Sequence, residues 1–319
     1  MLWWRQDDDE RETDDEVEVR GRSVLVLISH YFPLLEVLDL SYPLHCYHGA
    51  VELSHLKKLR KVNFSGHSDI NDKSLLHLFK SCKVLEEAIM LHCFDITFDG
   101  IAKALRERPT LRSLSFSKTN GPVKVRYESA YTTSHFISSL SLKCLASLDL
   151  LSSNISDELL SSIATERLPL TRLVLQYCIG IVQVLGICCN IRHLNLSKCS
   201  MVKLEMNFEV PKLEVLNLSY TNVDDEALYM ISKSCCGLLK LSLENCNDFT
   251  KKGVNHVVEN CTQLRKISLD GCHKVHANIV SSMVSSRPSL RQITAPPTRT
   301  GAFSARKVKY FLRQGCLVC

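Results

Sequence analysis

The chain has 319 residues, 45% of them hydrophobic and 23% charged, which is the balance of a soluble globular protein. No run of about 18 apolar residues occurs, and the N-terminus lacks a basic stretch followed by an apolar one. Neither a membrane span nor a secretory signal is therefore expected. The net charge of +5 hides an asymmetry: Asp7 to Glu18 hold nine acids and one Arg, a charge of −8, which leaves +13 for the rest.

Taken in order, residues 1–22 begin with Trp3 and Trp4 and pass into the acidic run. They read as a disordered arm, because such a composition cannot bury enough apolar surface to fold. A second reading folds the arm back onto the basic body, although salt screens such contacts beyond a Debye length. Ser23 to Ile28 (SVLVLI) is expected to cap the first unit of the folded body.

From Leu35 a nine-residue phrase recurs, with apolar residues at places one, four and six and a small polar residue at place nine. Leu213-Glu-Val-Leu-Asn-Leu-Ser-Tyr-Thr221 shows it best. It starts at Leu35, Leu59, Leu85, Leu111, Leu145, Leu170, Ile191, Leu213, Leu238, Leu264 and Leu290, at intervals of 24, 26, 26, 34, 25, 21, 22, 25, 26 and 26 residues. That period and phrase are the signature of leucine-rich repeats. The fold class expected is therefore α/β: a curved horseshoe solenoid of about eleven repeats, with parallel strands on the concave face and helices outside.

Within each unit, Leu-x-x-Leu-x-Leu makes a short strand with its leucines turned inward. Helices are expected after Asn71-Asp72, Ser156-Asp157 and Asp224-Asp225, whose side chains accept from orphan backbone N–H groups. The two short units have little room for a helix, and Glu209-Val-Pro211 breaks the pattern. The 34-residue unit carries an insertion near 118–135, centred on Lys118-Thr-Asn-Gly-Pro-Val-Lys-Val-Arg-Tyr-Glu128, and insertions in solenoids map to loops over a binding face. The solenoid is placed at 23–298. A cap and tail occupy 299–319, with Ser304 to Arg313 as a capping helix whose apolar side is Val308, Phe311 and Leu312.

The fifteen cysteines keep to the repeat. Cys93, Cys178, Cys199, Cys246 and Cys272 take the ninth place, and Cys82, Cys188, Cys235 and Cys261 lie three residues before a phrase begins. They read as stacked interior residues in a reducing cytosolic or nuclear setting rather than as disulfides.

Places three, five and seven should face the concave side, with place eight beside them. Asp149, Gln176, Tyr177, Asn195, Asn217 and Tyr220 are the candidate partner-binding residues there, joined by Lys124, Arg126 and Tyr127 of the insertion. No catalytic constellation and no phosphate-binding glycine motif is found, and no cofactor is expected. Cys272-His273 with His276 resembles a metal fragment, but Cys272 belongs to the interior ladder. The terminal Cys316-Leu-Val-Cys319 reads first as a frayed tail, and otherwise as a prenylation signal on Cys316 or as a redox or metal pair. Lys57-Lys-Leu-Arg-Lys61 reads as the solvated flank of a strand, not as a nucleic-acid patch.

The fuller pattern Cys-x-x-Leu-x-x-Leu-x-Leu-x-x-Cys, nearly whole at Cys235 to Cys246 and Cys261 to Cys272, resembles the cysteine-containing repeats of F-box/LRR proteins, most of all the plant group. Those proteins are substrate receptors of SCF ubiquitin ligases. The resemblance implies a non-enzymatic module that holds a protein substrate on its concave face for ubiquitin-dependent degradation, with SCF adaptor and cullin subunits as further partners. No F-box is found in the 34 residues before the first phrase, so no adaptor-contacting residue is assigned. The alternatives are a stand-alone scaffold or inhibitor, and a small-ligand sensor with Lys124 and Arg126 as anion contacts.

Overall fold

The computed structural model describes residues 27–42, 55–67, 70–117, 143–151, 168–176, 190–199, 210–298 and 303–319. The acidic arm, the 118–135 insertion with Lys124, Arg126 and Tyr127, the helix expected after Ser156-Asp157, and Tyr177, Cys178 and Cys188 lie outside them.

Among the described residues, twelve parallel strands form one sheet in strict chain order. They are β1 (Val37–Asp39), β2 (Lys61–Asn63), β3 (Glu87–Met90), β4 (Ser113–Ser117), β5 (Ser147–Leu151), β6 (Arg172–Val174), β7 (His193–Asn195), β8 (Val215–Asn217), β9 (Lys240–Ser242), β10 (Lys266–Ser268), β11 (Gln292–Thr294) and β12 (Leu317–Val318). The register couples each fourth-place residue to the next, from Leu38 to Val62 and on to Ile267 and Ile293. With the first- and sixth-place residues these make one continuous buried core. Each interior leucine contributes about 1.5–3 kcal/mol of burial free energy, which a single repeat could not capture alone.

The helices described are α1 (Asp72–Ser81), α2 (Phe98–Arg106), α3 (Asp225–Ser234), α4 (Lys251–Asn260), α5 (Ile279–Ser286) and α6 (Ala305–Arg313). Asn71 and Asp224 cap α1 and α3 by accepting from backbone N–H groups, as their residue types predict, and Thr97 and Thr250 do the same for α2 and α4. Adjacent helices are linked through these caps. The Asp72 carboxylate accepts from the backbone N–H and hydroxyl of Thr97 at 2.8 and 2.7 Å, and Asp225 repeats the bond pair with Thr250 at the same distances. A Cβ on Gly100 would lie 1.8 Å from Asp72 Oδ1, and one on Gly253 would lie 2.6 Å from Asp225 Oδ1. Glycine at the third helical residue is what lets the carboxylate in.

The ninth place is a hydrogen-bonding ladder as well as a row of small core residues. The thiols of Cys93, Cys199, Cys246 and Cys272 donate to the sixth-place carbonyls of the preceding repeat, Phe64, Leu175, Leu218 and Leu243, at 2.8–3.2 Å. Three residues before the phrase, where other units bury Cys82, Cys235 and Cys261, two units place an arginine. Arg108 donates to the carbonyls of Phe79 and Lys83, and Arg287 to those of Val258 and Glu259, so each guanidinium satisfies the C-terminal end of the preceding helix.

The C-terminus departs from the frayed-tail reading. Leu317 and Cys319 donate to Arg291 and Ile293, Ala295 donates back to Cys319, and Cys316 is buried. The segment closes the sheet as β12, with Cys316 inside rather than presented for prenylation. In α6, Phe311 is buried as expected, but Leu312 points outward, 56% exposed.

Candidate functional site

The strand face away from the helices carries places three, five and seven. At the fifth place, the side-chain oxygens of Asp39, Asn63, Asn195 and Asn217 accept the backbone N–H two residues on, at 2.9–3.1 Å, and Asp149 receives the N–H of Leu151. These are Asx turns, and they end the strands. They spend one side of each amide or carboxylate on the fold. The Nδ2 groups of Asn195 and Asn217, on cross-strand partners, have no hydrogen-bond partner among the described residues.

The turn delivers the chain into a left-handed residue at the eighth place. Tyr42, Gly66, His92, Lys198, Tyr220, Asn245 and Gly271 all have φ between +50° and +84°. For the non-glycine members this geometry costs free energy, and the stacked repeats around them impose it. It also orients the side chains. The Lys198 ammonium lies 5.1 Å from the Tyr220 ring centroid, and the Tyr42 ring covers Gly66, where a Cβ would meet it at 2.8 Å. Tyr42 and Tyr220 are 62% and 51% exposed. The eighth-place aromatics are thus held by backbone geometry and displayed at the strand ends.

Of the sequence-predicted residues, Asn195, Asn217 and Tyr220 come together over β7 and β8, joined by Lys198, which residue type alone does not single out. Its only sequence signal is that it stands 22 residues before Tyr220, at the same place of the phrase. Gln176 sits half-buried at the seventh place beyond β6. Asp149 lies apart on β5. Burial pushes its carboxyl above the ordinary 3.8, with Arg172 and the Leu151 N–H pulling against it, and its Oδ1 is buried with no hydrogen-bond partner among the described residues.

Places two and three carry charge. Arg60 bridges Glu86 at 3.0 Å and Glu36 at 3.9 Å, Lys61 pairs with Glu87 at 3.0 Å, and Arg192 pairs with Glu214. The bridges of Arg60 and Lys61 account for those two members of the Lys57–Lys61 cluster and line a groove of about 330 Å³ across β1–β4.

The described cysteines are all free, and burial pushes the Cys93 thiol up to about 11 and that of Cys272 up to about 12. Protonated thiols bonded to carbonyls are not metal ligands or nucleophiles. Among the described residues no cluster of His, Cys, Asp or Glu could hold a metal ion, and no helix is long and apolar enough to cross a membrane.

No protein-family model and no curated protein sequence matches the chain. Among solved structures, it resembles an internalin from Listeria monocytogenes, with a TM-score of 0.56 and 13% identity over 87% of each chain. That likeness is one of fold, and the fold is a leucine-rich-repeat solenoid. Yeast Rad7, solved in complex with Elc1, matches 97% of this chain and 93% of its own at 14% identity, with a TM-score of 0.43.

Proposed function

We propose that this chain is a protein-recognition module whose strand face holds a polypeptide partner, akin to the substrate-binding part of an SCF-type ubiquitin ligase receptor. The observation that carries the reading is the cluster over β7 and β8. Asn195, Asn217, Lys198 and Tyr220 are fixed by Asx turns, by left-handed backbone at both Lys198 and Tyr220, and by a cation–π contact before any partner arrives. Donors and an aromatic anchor held in place in advance lose little entropy on binding. The ligase part rests on the cysteine-containing repeat pattern, whose ninth-place thiols stack as that pattern implies. Buried, reduced cysteines suit a cytosolic or nuclear setting.

The second reading is a scaffold or inhibitor that binds a protein partner without recruiting a ligase, for which the same pre-fixed strand face suffices. Direct binding of the purified chain to an SCF adaptor subunit, measured by biolayer interferometry, separates the two. Saturable binding supports the receptor, and no binding leaves the scaffold. The face itself is tested by Tyr177→Ala with Tyr220→Ala, which should weaken partner binding without unfolding the array; binding that survives intact overturns the strand-face assignment.

A further inference from the structure

On β1–β3 the charged rows of the strand face pair internally. At place two Glu36, Arg60 and Glu86 alternate in sign and bridge, at place three Lys61 meets Glu87, and Arg192 meets Glu214 on the way to β8. The last strands break this rule. Lys240 and Lys266 are cross-strand partners in β9 and β10, and Arg265 and Arg291 immediately precede β10 and β11. All four are exposed, and none has an acidic partner among the described residues. Neighbouring strands lie about 4.8 Å apart, so like charges face one another at a separation where cross-strand repulsion acts. The opposite margin of the same strands carries Glu244 and Asp270 at place seven, about 13 Å along. Between the margins lie only small polar residues, Ser242, Ser268 and Thr294.

We propose that the basic row Lys240, Arg265, Lys266 and Arg291 docks an acidic polypeptide segment of the partner, supplying the missing opposite charges. This deepens the recognition reading above and rests on it. A nucleic acid fits less well. Its phosphates would run onto Glu244 and Asp270, and the strand face of β9–β11 offers no exposed aromatic on which bases could stack. A polypeptide can place acids against the row and other residues beyond it.

The test is fluorescence anisotropy with the full chain and a labelled dodecapeptide of alternating Glu and Ser, whose acids lie on one side of an extended backbone. The peptide should bind, weaken as salt rises, and lose about ten-fold in affinity on K240E/K266E. The pair K307E/K309E on exposed α6 changes the net charge equally and should leave binding intact, with circular dichroism showing both variants folded; K240Q/K266Q replaces the reversal if it is not. Equal loss in both pairs, or no peptide binding, overturns the docking row while leaving adaptor binding and the Tyr220 test untouched. Tighter binding of an oligothymidylate dodecamer, lost in K240E/K266E, would assign the row to nucleic acid instead. Peptide binding that appears only when residues 1–22 are removed would assign it to the chain's own acidic arm.

Discussion

His67 stands at the ninth place of its repeat, where later repeats put cysteine. It is 2% exposed, and its Nε2 lies 2.7 Å from the carbonyl of Leu40, the sixth place of the repeat before. Because a carbonyl only accepts, Nε2 carries the proton, and the imidazole does the work of a thiol. What the ninth place selects is therefore a compact side-chain donor. Removing one should cost more than the lost volume: Cys272→Ala leaves the Leu243 carbonyl one bond short and should destabilise the chain by about 1–2 kcal/mol in urea denaturation. The same thiols set an alkaline limit. In the unfolded chain they ionise near 9.0, whereas burial holds Cys93 and Cys272 protonated until about 11 and 12. Folded pKa values raised above the unfolded ones give stability that is whole below pH 9 and declines as pH rises toward 12. The urea midpoint should drop between pH 9 and pH 11, and drop less in the C93A/C272A variant.

At the scale of elements, helices are joined by carboxylate cradles that need a glycine in the next helix. Gly100→Ala adds helix propensity worth about 1 kcal/mol, yet its Cβ occupies the position of Asp72 Oδ1 and breaks charge-assisted bonds worth about 1.5–3 kcal/mol each. Net destabilisation of about 1–3 kcal/mol is expected, read as a lowered urea midpoint. The equivalent carboxylate also sets an acid limit. Burial pushes Asp225 up, but the N–H and hydroxyl of Thr250 and the N–H of Gly253 outweigh it and hold the carboxyl below 3.8. A depressed pKa gives stability present above 3.8 and lost as pH falls further, so Thr250→Val should flatten the acid limb of the stability curve. β12 is the other telling element. Deleting residues 316–319 removes three backbone hydrogen bonds to β11 and the residues flanking it, and uncovers Phe311. The loss should be about 2–4 kcal/mol by urea denaturation.

For the whole molecule, the repeat phrase written in the sequence located every strand from β1 to β11, because Leu-x-x-Leu-x-Leu has a single burial-compatible register. The twelfth is not marked by the phrase, because Gly315-Cys-Leu-Val-Cys319 holds only a fragment of it and relies on β11 for its pairing. The caps at Asn71 and Asp224 were legible from residue type, whereas Arg108 and Arg287 were not, since a buried guanidinium is recognisable only once the carbonyls it reaches are known. The same holds for the site. Asn195, Asn217 and Tyr220 stood out by place and residue type, but tyrosine and lysine give no local sign of a left-handed backbone, which only the stacking of neighbouring repeats imposes. Gly66, Gly271 and Asn245, residues that adopt it readily, were the only hints.

The strict chain order of the sheet has a mechanical consequence. Tension between the two ends of the chain runs along the stacking direction, so it opens interstrand hydrogen bonds one strand at a time, as in a zipper, instead of shearing many at once. Each opened repeat of 24–26 residues releases about 80 Å of extended backbone. Such a chain yields to pulling gradually and from its ends, behaving as a compliant spring rather than a rigid strut.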